Sequence, residues 1–177
     1  MVLGNQPYEG GHLIVDKAEL EALSLEPRAK DLLVRKFLGS SEVINGTERY
    51  CLWITDDVLP LARSIPSVWS RVEQVRSWRL ESTRPGTRAM ADRPHQFCEM
   101  KHPTKCVTII PIRSSENREY LPVSIFNEMV TVNNLAYAIY DGDLLNFSII
   151  ASRIHLVWIS AICGKLETRF RDGVQKA

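Results

Sequence analysis

The segment Lys165-Leu-Glu-Thr-Arg-Phe-Arg171 sets charged side chains at a chemically useful spacing. Read as a strand, it carries Glu167, Arg169 and Arg171 on one face and Leu166, Thr168 and Phe170 on the other. Same-face neighbours stand about 6.6–6.8 Å apart, two strand rises, and successive bases of one DNA strand step by about 3.4 Å. Arginine donates two parallel hydrogen bonds to guanine O6 and N7, and glutamate accepts from cytosine N4, so an adjacent Glu and Arg can address both bases of one G·C pair. The same alternation equally describes a surface strand whose charges pair with a neighbour.

A second series is cationic. Arg71, Arg76, Arg79, Arg84, Arg88 and Arg93 are interrupted only by Glu73, Glu81 and Asp92. Spread along a helix and the loop after it, Arg76, Arg79, Arg84, Arg88 and Arg93 can follow a phosphate backbone; a solvated helix face explains the same series. Two catalytic patterns compete. Asp92, Glu99 and Lys101 have the residue types of a metal-dependent PD-(D/E)xK-like nuclease, but six intervening residues leave little room for a hairpin and no proline precedes Asp92. His95, Cys98, His102 and Cys106 are all zinc-ligand types, without the Cys-x2-Cys knuckle. No Gly-rich dinucleotide turn or Walker loop occurs, and His155, between Ile154 and Leu156, reads as a hydrogen-bonded core histidine. The residues thus give no catalytic, metal or cofactor site, and a small nuclease or zinc-binding protein stands as the alternative to a binding module.

These residues need a folded frame. The 177 residues, 45% hydrophobic and 24% charged, have the balance of one globular domain with a real core. The net charge is +1, yet residues 1–66 carry seven Lys/Arg against ten Asp/Glu, leaving the basic surplus in the remainder, where it can face nucleic acid. Met1–Asn5 has neither the basic nor the apolar region of a secretory leader, and no apolar run reaches membrane-spanning length, so no membrane association and a cytoplasmic location are expected. Cys51, Cys98, Cys106 and Cys163 are scattered and read as reduced thiols.

Residues 12–15 read as a strand, and Asp16 with Glu19 as a capping box. Pro27 opens a helix expected to reach about Lys36. Residues 48–54 read as a strand, Asp56-Asp57 as the cap of a short helix, and Ser67–Ser82 as a helix whose Val68, Val72 and Val75 repeat at i, i+4, i+7 with Arg71, Arg76 and Arg79 largely off that stripe. Thr83–Pro94 reads as a loop. Residues 107–112, 120–125, 130–132 and 135–140 read as strands, with 113–119 as a turn, and 143–163 as two helices broken near Ala151-Ser152. The expected fold class is α+β: a mixed, mostly antiparallel sheet with flanking helices in a single domain, without a βαβ rhythm.

Five stretches, in order, resemble one family. They are Gly4-Asn-Gln-Pro-Tyr-Glu-Gly-Gly-His-Leu13, Phe37-Leu-Gly-Ser-Ser-Glu-Val-Ile-Asn-Gly46 with Arg49-Tyr-Cys-Leu-Trp53, Ile110-Pro-Ile-Arg-Ser-Ser-Glu-Asn-Arg118, Ser152-Arg-Ile-His-Leu-Val-Trp158 and Gly164–Arg171. Together they resemble the target-recognition domain of MmeI-like fused restriction–modification enzymes, over residues 4–171, with 172–177 a divergent tail. The resemblance implies double-stranded DNA as partner, a short asymmetric site read from the major groove, and methyltransferase and nuclease domains of a parent enzyme that uses S-adenosylmethionine and Mg²⁺. It implies base reading by Glu167, Arg169 and Arg171, with Thr168 and Asn134 near further reading positions. A Glu/Arg pair corresponds to the version that reads C beside the methylated adenine, and a Lys-x-Asp version reads G. The methyltransferase's cofactor loop and Asn-Pro-Pro-aromatic motif are absent from this sequence, so the resemblance implies recognition, not catalysis, for this chain.

Overall fold

The computed structural model describes residues 1–115 and 118–162, together with the backbone of residues 165, 166 and 169–171. In chain order the elements begin β1 (Val2–Leu3), β2 (Ile14–Val15), α1 (Lys17–Ala22), α2 (Pro27–Leu33), β3 (Val34–Leu38), α3 (Ser40–Asn45) and β4 (Tyr50–Leu52). Next come α4 (Leu59–Ser64), α5 (Pro66–Glu81), α6 (Pro85–Ala89) and a 3₁₀ turn over Met90–Asp92. The remainder is β5 (Cys106–Pro111), β6 (Arg113–Ser115), β7 (Ser124–Asn127), β8 (Val130–Val132), β9 (Ala136–Tyr140), α7 (Leu144–Ala151), α8 (Arg153–Ile162), β10 (Lys165–Leu166) and β11 (Arg169–Arg171). The pairs β1–β9, β2–β4, β3–β4, β5–β7, β5–β9, β6–β11 and β10–β11 are antiparallel, and the fold class is α+β as expected. The chain forms two compact units. One comprises residues 5–37 and 48–101, the other residues 1–4, 38–47 and 102–177.

In the unit of residues 5–37 and 48–101, β4 lies between β2 and β3. Asp16 and Glu19 close both halves of the capping box, Glu19 N–H donating to Asp16 Oδ1 at 2.8 Å and Asp16 N–H to Glu19 Oε2 at 3.0 Å. The helix from Pro27 stops at Leu33, short of the expected Lys36, and Val34–Leu38 is a strand. Apolar residues at 33, 34, 37 and 38 fit either period in so short a run; pairing with β4 decides it. Residues 85–92, expected as loop, hold α6 and the 3₁₀ turn. Val58, not Asp56 or Asp57, is the N-cap of α4. Asp56 Oδ1 instead lies 2.9 Å from His95 Nε2 and accepts from Gln96 at 3.0 Å.

The stripe of α5 has a fourth member. Val68, Val72 and Val75 are fully buried, and so is Arg79, four residues further on the same face. Arg79 Nε donates to Tyr8 O at 3.0 Å, Nη1 to Met90 O at 2.9 Å and Arg93 O at 2.8 Å, and Nη2 to Gln96 O at 2.6 Å. Burial pulls its pKa below the ordinary arginine value, with nearby Arg93 adding to the effect, yet a guanidinium stays charged in proteins, and four carbonyls meet that charge. The segment before β2 is tied down beside it: Cys98 N–H donates to Pro7 O, Glu99 N–H to Gln6 O, and the Asn5 amide exchanges bonds with the Lys101 backbone at 2.8 and 2.6 Å.

In the other unit the sheet order is β1-β9-β5-β7. Val107, Ile109, Val130, Val132, Ala136 and Ala138 form its core. Asp141, at a left-handed φ of 53°, accepts from the backbone N–H groups of Thr104, Lys105 and Cys106 at 2.9, 2.7 and 3.3 Å and so locks the start of β5 to the end of β9. The expected strand over 120–125 is β7, shifted to 124–127. The expected break between two apolar helices is present: α7 and α8 meet at 58° across Ser152. No single helix among the described residues is long and apolar enough to cross a membrane. Leu156 and Ile159 of α8 are buried, His155 beside Leu156 is half-buried, and Leu144, Leu145, Ile154, Val157, Trp158 and Ile162 are exposed.

Two stability measurements follow. Arg79→Met keeps the stem and takes the guanidinium away from four carbonyls, of which Met90 O and Arg93 O keep a backbone N–H donor, so urea melts should show a loss of about 3–5 kcal/mol, against less than about 0.5 kcal/mol for exposed Arg76→Met. The Asp141 carboxyl is held at about 2 by hydrogen bonds from the Thr104 and Lys105 backbone, below an unfolded value of about 3.9. A depressed folded pKa gives stability that is full above about pH 4 and lost as pH falls toward 2. Thermal melts from pH 5 to 2 should therefore fall more steeply for the wild type than for Asp141→Asn.

Candidate nucleic-acid interface

Ser40 organises the candidate reading surface. Its hydroxyl donates to Leu135 O and accepts from Ile112 N–H at 3.0 Å. One side chain thus joins the β8–β9 turn to the residue that precedes β6. Asn133 shapes that turn: its Oδ1 accepts from Leu135 N–H at 2.8 Å, and its N–H donates to Leu38 O at 2.9 Å. Two glycines make the approach possible. A Cβ on Gly39 would stand 2.2 Å from Asn133 Oδ1, and one on Gly4 2.1 Å from Asn133 O. The motif pairs Gly4-Asn and Gly39-Ser40 therefore leave room for the turn that carries half-buried Asn134.

From Ile112 the chain runs into β6, where the sequence pattern suggests a turn. β6 pairs with β11 in the register Arg169↔Ser115, Phe170↔Ser114 and Arg171↔Arg113. β11 pairs on its other side with β10, Lys165↔Phe170 and Leu166↔Arg169. The segment 165–171 is thus not one continuous strand but two paired ones, which corrects the expected i, i+2, i+4 row. Arg169 and Arg171 remain two apart on β11. Glu167 and Thr168 lie outside the described residues. Ser40, the Asn134 turn, β6 and β11 all belong to one unit.

The cationic series lies in the other unit and divides. Arg79 is buried with its donors spent on carbonyls, which removes it from the expected set of phosphate contacts. Its place at i+11 of the valine stripe is visible in the sequence. Arg71 is tied to His12 O and Glu19. Arg76, Arg84, Arg88 and Arg93 are exposed; of these, Arg76 leans on Ala91 O, Arg88 on Ser82 O and Arg93 on Cys98 O.

Among the described residues the catalytic alternatives find no assembled site. Lys101 Nζ pairs with Glu99 Oε2 at 3.1 Å, and that oxygen also accepts from Gln6 N–H. Among the described residues no three His, Cys, Asp or Glu side chains gather as a metal site. His95 Nε2 is engaged by Asp56, and Cys51, Cys98 and Cys106 are not joined in disulfides.

The comparisons with known proteins agree with the family suggested by the sequence motifs. The chain is 34% identical over 169 residues to DNA methyltransferase A of Bacillus subtilis (strain 168), covering 95% of this chain and 19% of that protein. A solved structure of the Type IIL restriction-modification enzyme MmeI in complex with DNA superposes with a TM-score of 0.85 at 31% identity, covering 97% of this chain and 23% of that one. The chain thus spans about a fifth of the length of the relatives it matches. The family model described as MmeI, target recognition domain, matches residues 1–174, taking in part of the segment expected to diverge, and the chain belongs to that family.

Proposed function

We propose that this chain reads a short DNA sequence from the major groove and directs adenine-N6 methylation and cleavage carried out by methyltransferase and nuclease domains of a parent enzyme. The observation that carries the reading is β11, which sets Arg169 and Arg171 two residues apart on a paired strand within a domain of the target-recognition family. That spacing covers about two base steps and suits reading of guanines two positions apart. Glu167 completes the G·C reader with Arg169, and Thr168 and Asn134 serve nearby positions. Arg76, Arg84, Arg88 and Arg93 contact phosphates.

The chain itself is silent in catalysis and works in the cytoplasm. S-adenosylmethionine and Mg²⁺ serve the parent enzyme, and the residues of this chain do not fit either group, having no Gly-rich cofactor loop and, among the described residues, no gathered metal donors. The exposed apolar side chains of α7 and α8 support a module that is covered by other domains in use.

Two experiments test this reading. The purified chain incubated with duplex DNA, S-adenosylmethionine and Mg²⁺ should yield neither methylated nor cut product, and specific methylation would sink the recognition-only assignment. With the domain grafted into an active family member, Glu167→Lys with Arg169→Asp exchanges acceptor for donor and should invert the preference at that pair from C to G. Sequencing of methylated sites reads the outcome, with the wrong base costing about 1–3 kcal/mol. Efficient methylation at an unchanged base would overturn the assignment of this pair.

A further inference from the structure

A cleft of about 260 Å³ lies beside β6, lined by Ser40, Ser41, Arg113, Ser114 and Arg118 among others. Arg113 and Arg118 are exposed, and neither guanidinium has a carboxylate partner among the described residues. They differ in this from Arg71, which is paired with Glu19. Ser114 is 3% exposed, and its hydroxyl has no hydrogen-bond partner among the described residues. A buried hydroxyl without a partner is uncommon and calls for one, and as a free rotor it can turn toward an acceptor. Ser41 accepts from the Asn45 amide at 3.2 Å and keeps its own O–H to give. The cleft thus offers donors and positive charge.

We propose that this cleft binds one phosphodiester of the DNA backbone, held by Arg113 and Arg118 with the Ser114 and Ser41 hydroxyls, and that it fixes β6, and through it β11, along the duplex. The proposal rests on the DNA-reading function above and moves a principal backbone anchor to the unit that holds β11. It assigns Arg113 and Arg118 a positioning role, because phosphate contacts set register and carry no sequence information.

The test is binding of the 177-residue chain to labelled duplexes over a range of salt concentrations, followed by anisotropy. Arg113→Gln with Arg118→Gln should weaken binding by about tenfold or more, evenly across sequences, and lower the log–log salt slope by up to about two. The double lysine variant should restore the slope, and Ser114→Ala should weaken binding several-fold with the slope retained. Circular dichroism and melting temperature check that each variant is folded. Inorganic phosphate, titrated separately, should raise the melting temperature of the wild type and not of the double glutamine variant. A cleft that binds inorganic phosphate while the DNA salt slope stays unchanged in that variant is a free-phosphate site, and this overturns the proposal. Wild-type chain that fails to bind DNA overturns both this and the DNA-reading function; binding with unchanged slope overturns the cleft alone.

Discussion

A charge buried in protein must be met by acceptors on every side, and in this chain that constraint falls on Arg79. Its guanidinium is enclosed where α5 would otherwise present a fourth apolar residue, and four backbone carbonyls answer it. Those carbonyls come from Tyr8, from Met90 and Arg93 around the 3₁₀ turn, and from Gln96. Only Met90 O belongs to a regular turn, where it also accepts the Arg93 N–H; the other three lie outside strands and helices. One side chain thus specifies the path of two irregular segments, and the Asn5–Lys101 exchange extends the same clasp along the chain. A planar fork with five donors can do this; a lysine, with three donors on one nitrogen, cannot reach four carbonyls spread around a plane.

The other unit achieves a comparable constraint without charge. Ser40 both donates and accepts, linking the Leu135 carbonyl to the Ile112 amide. Ser40 is half-buried, and the cost of drawing its hydroxyl partly out of water is small once both functions are met. What makes the link possible is the absence of a side chain at Gly39 and Gly4, since either Cβ would run into Asn133. The family motifs around these glycines therefore record a close approach of backbones. They carry no chemistry of their own and hold the β8–β9 turn and β6 at a fixed place.

Features governed by near neighbours along the chain are legible from residue order alone. The Asp16–Glu19 box, the valine stripe of α5 and the break before Arg153 each follow from local spacing. Features decided by a distant partner are not. Val34–Leu38 fits helix or strand until β4 pairs with it. β6 is polar enough to pass for a turn, and only β11 makes it a strand. The split of 165–171 into two strands is likewise a property of pairing, because a short alternating run does not announce where it reverses. Arg79 is a different case. Its position at i+11 from Val68 is plain, but an arginine's type argues for solvent, and nothing local shows the four carbonyls that await it. The family motifs reach further than the spacing, since they point to the chain between β5 and β7 that holds β6 and the cleft beside it.

Reading bases and holding a duplex make opposed demands on a strand. The reader must change its donors and acceptors when the target changes, while the holder must stay as it is. Strand geometry makes the separation demanding, since a slip of one residue turns every side chain to the other face. A reader strand therefore needs its register fixed by something other than its own base contacts. β6 can supply that, because it pairs with β11 residue for residue over Arg113–Ser115 while its backbone approach is set by Ser40 and not by any base-reading side chain. On the proposed reading, side chains of β11 can be exchanged without moving the strand, provided that β6 keeps its pairing. Specificity then becomes a property of two or three residue types on a scaffold that does not depend on them.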